Sequence, residues 1–269
     1  MRIRLSSGLS MAYVTQGAGR TIVLLHPVGL RSAFWHPVMD ELKSEFRLIA
    51  PDFRGHGDSD APMTPFGLED LANDVADLVQ AVGQGPTFIC GCSMGGMVAQ
   101  AISVRRPDLV AGIVIANTAH RRTDESRTIM EQRAVAAEGG MTNALRATLS
   151  RWFDAEMQIS RPELVVQARD WLLDNDPVVH AWSWRAIKGL AYADQLKSMV
   201  SPSMVVAGVR DQSTPIAAMK DLAETLPNST YKELDTGHLA PFENPASFAQ
   251  LLRDFMAAHP GPETSFNRD

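Results

Sequence analysis

Thr87-Phe88-Ile89-Cys90-Gly91-Cys92-Ser93-Met94-Gly95-Gly96-Met97-Val98-Ala99-Gln100 runs from an apolar tetrapeptide, through a serine flanked by glycines, into a helix-forming segment. The apolar run Thr87–Cys90 predicts a strand buried on both faces, and Met94–Val104 predicts a helix. Between them Gly91-Cys92-Ser93-Met94-Gly95 has the spacing G-x-S-x-G. A strand that turns sharply into a helix at this spacing projects the serine hydroxyl from the sheet edge. Glycines two before and two after the serine let neighbouring chain pass without Cβ clashes. The helix start beside it favours developing negative charge. A glycine-rich turn without chemistry is the plainer alternative, and the strand and helix on either side weigh against it.

Outward from this stretch the same alternation repeats. Arg2–Leu5 and Met11–Thr15 are strand-like, with Ser-Ser-Gly between them as a hairpin signal. Thr21–Leu25, Phe46–Ala50 and Val110–Ala116 are short apolar runs expected in buried strands. Leu68–Val82 has helical spacing in Leu71, Val75, Leu78, Val79 and Val82. Met204–Ala207 and Thr230–Leu234 read as strands, and Ile216–Thr225 and Pro245–Ala257 as helices. Alternating strands and helices predict an α/β fold: a mostly parallel eight-stranded sheet with helices on both faces.

One segment interrupts the alternation. Residues 119–191 contain no convincing strand, and their helical periodicity is broken at Gly139-Gly140, Arg161-Pro162 and Asp176-Pro177. Four inserted helices are expected there, holding four of the chain's five tryptophans. Such an insertion would be a lid over the carboxyl edge of the sheet, where α/β sites lie. Residues 1–118 and 192–269 would then form the core. Gly261 to Asp269 reads as a loose polar tail.

A serine nucleophile needs a base. Among seven histidines, His238 follows the last strand, in Asp235-Thr236-Gly237-His238. His36, His180 and His259 read as ordinary surface or core residues, His56 as part of a turn, and His26 as shaping the loop after its strand. The base needs an orienting carboxylate. Asp211 follows the strand at Met204–Ala207, whereas the end of the previous strand offers the uncharged Asn117. Asp235, three residues before His238, reads as a turn residue. An oxyanion hole needs two backbone N–H groups. Met94, directly after the nucleophile, supplies one. His26-Pro27-Val28-Gly29 should supply the other; Pro27 has no N–H, which leaves Val28 as the natural donor.

Composition narrows the function classes. The 269 residues are 45% hydrophobic and 21% charged, with a net charge of −6 from 31 acidic and 25 basic residues. That balance argues against nucleic-acid and anionic-membrane partners. No apolar run is long enough to span a membrane and no leader segment is evident, so a cytoplasmic protein is expected. Cys90 and Cys92 read as free buried thiols, since residues two apart on a strand rarely reach disulfide distance. No metal-ligand spacing is present.

These motifs carry a resemblance to serine-dependent α/β-hydrolases with a helical cap, over essentially the whole chain. The stretches are HPVG at 26–29, DFRGHGDS at 52–59, GCSMGG at 91–96, GVRDQSTP at 208–215 and DTGHLAPFENP at 235–245. The chain order Ser93, Asp211, His238 is that group's order. Within it the chain most resembles the 3-oxoadipate enol-lactone hydrolases, through GCSMGGMVAQ, Ala116-Asn117-Thr118-Ala119, Glu138-Gly139-Gly140-Met141 and Arg151-Trp152-Phe153. It departs from them in its HPVG loop and in a more aromatic later cap with Trp182 and Trp184. The resemblance implies Ser93 as nucleophile, His238 as base, Asp211 as orienter, and Val28 and Met94 as oxyanion donors, with no cofactor and no metal. It implies hydrolysis of a small lactone or carboxylic ester in aromatic catabolism; a monomer or homodimer is expected. C–C hydrolysis of a ring-cleavage product and perhydrolysis use similar scaffolds, and a non-catalytic small-molecule receptor on the same fold is the reading from a different class.

Substrate clues lie in the insertion. Residues 120–190 hold ten basic and ten acidic residues, so the segment as a whole is no cationic funnel. Arg151 is a candidate partner for a substrate carboxylate, with Trp152 and Trp184 as candidate pocket walls.

Overall fold

The computed structural model describes residues 1–82 and 85–260; the tail expected from Gly261 onward lies outside them. Eight strands form one sheet: β1 Arg2–Arg4, β2 Ser10–Gln16, β3 Thr21–Leu25, β4 Arg47–Pro51, β5 Thr87–Cys92, β6 Val110–Ala116, β7 Ser203–Gly208 and β8 Ser229–Leu234. Their order is β1-β2-β4-β3-β5-β6-β7-β8. Only the pairs β1 with β2 and β2 with β4 are antiparallel. Every residue of β3, β5 and β7 is buried, which explains their continuous apolar character. The edge strand β8 alternates half-buried and exposed positions over most of its length.

Among the described residues, twelve α-helices accompany the sheet. Three precede the insertion: α1 His36–Leu42, α2 Leu68–Val82 and α3 Met94–Arg105. Then come α4 Asp124–Glu138, α5 Met141–Trp152, α6 Ala155–Ser160, α7 Pro162–Leu173 and α8 Pro177–Lys188. After the insertion come α9 Ala193–Leu196, α10 Ile216–Thr225, α11 Ala240–Glu243 and α12 Pro245–Ala258. Helix α2 buries Leu71, Val75, Leu78 and Val79 on one stripe, as its spacing requires. Each such side chain contributes roughly 2 kcal/mol by leaving water. Helix α3 is buried from Met94 through Ser103.

The insertion holds five helices between 119 and 191 rather than the expected four. The extra break falls at Phe153-Asp154. Asp154 adopts an extended conformation and its side chain accepts the backbone N–H of Met157, starting α6. Thr123 and Asp176 cap α4 and α8 in the same way.

The strand order reverses at β3: the chain steps to β4 on one side and later returns to β5 on the other. Loops leaving β3 and β5 therefore diverge and open a crevice at their carboxyl ends. Leu25 is in register with Gly91, Cys92 with Ala116, Ala116 with Val206, and Gly208 with Leu234. This register brings the segments beginning at His26, Ser93, Asn117, Val209 and Asp235 to one edge of the sheet.

Candidate active site

Ser93 stands between β5 and α3 with φ 54° and ψ −116°. A side chain in this left-handed region costs on the order of 1–3 kcal/mol and persists only where its surroundings enforce it. Here the Ser93 N–H donates to Ala116 O at 2.9 Å, and its carbonyl accepts from Thr118 Oγ1 at 2.7 Å. The two flanking glycines leave no room for side chains. A Cβ on Gly91 would lie 2.2 Å from Gly95 O, and one on Gly95 would lie 2.1 Å from Leu25 O.

His238 Nε2 lies 3.0 Å from Ser93 Oγ, and His238 Nδ1 lies 2.8 Å from Asp211 Oδ2. Both the serine and the histidine are buried, and the Asp211 side chain is equally shielded. Burial pushes the Asp211 carboxyl up, but His238 and hydrogen bonds from His238, Asn117 and Thr214 outweigh it, and the group sits below the ordinary carboxylate range. Its second oxygen, Oδ1, accepts the N–H groups of Ser213 and Thr214 at 2.7 and 3.0 Å. The carboxylate is thus fixed, ionised and aimed at one imidazole nitrogen. The other nitrogen is placed to take a proton from the serine hydroxyl.

The loop carrying His238 is clamped by Glu243. Its Oε2 accepts from Gly237 N at 2.8 Å and its Oε1 from Leu239 N at 3.2 Å. The His238 N–H itself donates to Trp152 O at 3.3 Å. Burial raises the pKa of Glu243, and the Gly237 and Leu239 bonds pull it back.

On the other side of Ser93, His26 and His56 hold the loop at 26–29. His26 Nε2 accepts from Phe53 N at 3.0 Å while its Nδ1 meets Pro27 O at 2.7 Å. His56 Nε2 accepts from Gly29 N at 3.2 Å. Gly29 has φ +76° and touches the insertion, where a Cβ would meet His180 and Leu172 at 2.8 Å. The N–H groups of Val28 and Met94 make no hydrogen bond to any described residue. They remain able to serve an oxyanion.

The model of the alpha/beta hydrolase fold family matches residues 20–245, a span that includes Ser93, Asp211 and His238. The chain belongs to the α/β-hydrolase fold family. Among curated proteins it is 26% identical to (E)-2-((N-methylformamido)methylene)succinate hydrolase of Acinetobacter baylyi, over 96% of this chain and 98% of the relative. Among solved structures it is similar to a thermophilic esterase from Thermogutta terrifontis with malate bound, at TM-score 0.91 and 27% identity, over 96% of this chain and 99% of that one. It is equally similar to the enol-lactonase from Burkholderia xenovorans LB400, at TM-score 0.90 and 28% identity, over 96% and 100%. These likenesses agree with the enol-lactonase resemblance in its motifs and with a carboxylic ester or lactone hydrolase.

In this hydrolase the insertion packs over the carboxyl edge of the sheet. Trp152 O meets His238 N, Asn175 Nδ2 donates to Gly29 O at 2.9 Å, and Arg210 Nε bonds Asp154 Oδ2 at 2.8 Å. Asp235 pairs with the same Arg210, so it ties the histidine loop to α6 rather than serving only a turn. Arg151 is half-buried; its Nη2 bonds Thr148 Oγ1 at 3.0 Å and its side chain lines a cavity of about 260 Å³ with Trp184. Trp152 is packed into the core and its ring is not part of that cavity's lining. Trp184 Nε1 donates to His180 Nε2 at 3.0 Å. His180, which reads from sequence as an ordinary residue, is buried and keeps Nδ1 unpartnered among the described residues. Trp182 is only partly buried.

Two residues of the site escaped the sequence reading. Asn117, set aside because it bears no charge, donates through Nδ2 to Asp211 Oδ2 at 2.9 Å and to Gly237 O at 3.2 Å. Glu243 lies inside the quoted stretch 235–245, but nothing in its spacing announces a clamp. No helix among the described residues is long and apolar enough to cross a membrane.

Proposed function

We propose that this chain is a serine hydrolase that cleaves a small lactone or carboxylic ester resembling 3-oxoadipate enol-lactone, through an acyl-enzyme on Ser93. The observation that carries this reading is the buried line Ser93 Oγ, His238 Nε2, His238 Nδ1, Asp211 Oδ2, with contacts of 3.0 and 2.8 Å. His238 takes the hydroxyl proton as Oγ attacks the carbonyl. Val28 and Met94 donate their N–H groups to the oxyanion. Collapse expels an enolate, which is protonated to a ketone and so leaves readily. His238 then draws a proton from water, which releases the acid and restores Ser93. Asp211 keeps the imidazole in the required tautomer and stabilises its cationic form.

Residues 119–191 act as a cap over residues 1–118 and 192–269, with Arg151 and Trp184 on the substrate side. The relatives support a small organic acid as the acyl part: one is named for a succinate derivative, one was solved with malate, and one is an enol-lactonase. The reading places the protein in the cytoplasm, in the breakdown of aromatic compounds, with no cofactor.

The test is kcat/KM on 3-oxoadipate enol-lactone, with p-nitrophenyl acetate as a control for a working triad. A value above about 10⁴ M⁻¹s⁻¹ supports the reading, because it lies in the range of physiological substrates. Acetate turnover without lactone turnover overturns the substrate, and undiminished acetate turnover in Ser93→Ala overturns the mechanism.

A further inference from the structure

Residues 27–30 form a tight turn in which all three peptide planes are pinned. Leu30 N–H donates to Pro27 O at 3.2 Å and closes the turn, and Gly29, at its third position, has φ +76°. A positive φ there belongs to a type II turn, which glycine fills without strain. The Pro27–Val28 plane is held at its oxygen by the Leu30 N–H and by His26 Nδ1 at 2.7 Å. His26 Nε2 accepts from Phe53 N, so the proton of the neutral imidazole sits on Nδ1 and is donated. The Val28–Gly29 plane is held at its N–H by His56 Nε2. The Gly29–Leu30 plane is held at its oxygen by Asn175 Nδ2, at 2.9 Å, from the turn between α7 and α8.

This corner of the insertion fits closely on the turn. Asn175 Nδ2 also donates to Trp171 O and Leu172 O, at 2.7 and 3.1 Å, so three carbonyls fix which end of its amide faces Gly29. Leu172 and His180 lie against the Gly29 backbone, where a Cβ would come within 2.8 Å of each. Arg31, just past the turn, pairs with Asp174.

The hydrogen bonds form one directed line. In a trans peptide the C=O and N–H point opposite ways. Asn175 Nδ2 donates into the Gly29–Leu30 plane, and the Leu30 N–H of that plane donates into the Pro27–Val28 plane. The N–H at the far end belongs to Val28 and makes no hydrogen bond to any described residue. Each donor in such a chain polarises the next. We propose that Asn175 is a positioning residue for the oxyanion donor Val28, so that the α7–α8 corner completes the oxyanion hole through its contact with Gly29. This rests on the ester or lactone hydrolase reading above and adds to it a residue that touches no reacting atom. The insertion then governs the chemical step as well as the walls of the pocket.

The test separates recognition of an oxyanion from recognition of a neutral ligand. With 1,1,1-trifluorohexan-2-one, Ser93 Oγ bonds the carbonyl carbon, the hydroxyl proton passes to His238, and the ketone oxygen carries its charge into the oxyanion hole. The alcohol 1,1,1-trifluorohexan-2-ol has a similar shape but no carbonyl to attack. Asn175→Ala deletes the amide, and Asn175→Asp keeps its size but offers no donor. Loss of an oxyanion donor outright costs about 10²–10³ in kcat. Loss of its support is expected to lower kcat on p-nitrophenyl acetate at least ten-fold, with KM changed less than three-fold. The inhibition constant of the ketone is expected to rise at least ten-fold and that of the alcohol less than two-fold, in whichever variant keeps the wild-type far-UV spectrum. Unchanged ketone inhibition overturns the proposal. Equal weakening of ketone and alcohol overturns it too, because a purely structural corner would affect both alike. Wild-type protein without Ser93-dependent acetate turnover fails the hydrolase reading itself, whatever the variants do, so the two failures are distinguishable.

Discussion

Asn117 Nδ2 donates to Asp211 Oδ2, the same oxygen that meets His238 Nδ1. The carboxylate therefore holds the imidazole only while its own position is fixed by an amide from β6's end and by the Ser213 and Thr214 N–H groups. Asn117 itself has φ 48°, so a glycine there removes the amide without adding backbone strain. A hydrogen bond to a charged group contributes about 1.5–3 kcal/mol. Asn117→Gly is expected to lower kcat on p-nitrophenyl acetate at least ten-fold, with an unchanged far-UV spectrum. An unaltered kcat would show that the backbone donors alone hold Asp211.

Gly95 carries a different kind of constraint. A Cβ at this position would meet Leu25 O at 2.1 Å and Leu25 C at 2.5 Å, both main-chain atoms at the end of β3. No side-chain rotation relieves such a clash, so β3 must move, and with it the loop at 26–29. Gly95→Ala is expected to lower both Tm and kcat/KM, the latter about 100-fold or more, since a shift of about 1 Å in reacting geometry has that effect. Retained kcat/KM would mean that the loop at 26–29 is not positioned through this contact.

Much of this arrangement was legible in the residues because local patterns fixed it. The continuous apolar runs of β3, β5 and β6 coincide with buried strands, and helix α2 has the predicted ends at Leu68 and Val82. Ser93, Asp211 and His238 each follow a strand, so alternation alone brought them to one edge. What was not legible depends on tertiary contacts. Asn117 acts through a residue 94 positions away, and Glu243 through two backbone amides. The break at Asp154 was missed because an Asp cap inside a helical periodicity looks like an ordinary polar position.

Cys90 and Cys92 lie on β5, fully buried and free. Burial pushes both thiols up, and for Cys92 the nearby Asp211 adds to it. Thiolate is the reactive form, so neither should react while the fold is closed. Ellman's reagent at pH 8 is expected to find no reactive thiol in native protein and two after denaturation. A fast-reacting native thiol would require the β5 end beside Ser93 to open.

Three buried histidines, His26 and His56 beside the sheet and His180 on α8, are held neutral. Burial lowers His56 to about 4 and His180 to about 3, and drives His26 well below its ordinary value of 6.5. In the unfolded chain these groups take up protons as the pH falls below about 6.5, whereas the folded protein does not until the pH passes the depressed values. Their contribution to stability is therefore complete above about pH 6.5 and declines on acidification, by about 1.4 kcal/mol per pH unit for each histidine. Glutamine at position 180 can still accept the Trp184 N–H but does not titrate. His180→Gln is thus expected to flatten the dependence of unfolding free energy on pH between 6 and 4.5, by about 1 kcal/mol per pH unit. Denaturant unfolding followed by tryptophan fluorescence at several pH values measures the slope. Equal slopes for the two proteins would mean that His180 gains its proton in the folded state as readily as in the unfolded one, and that the contact between Gly29 and α8 opens to water.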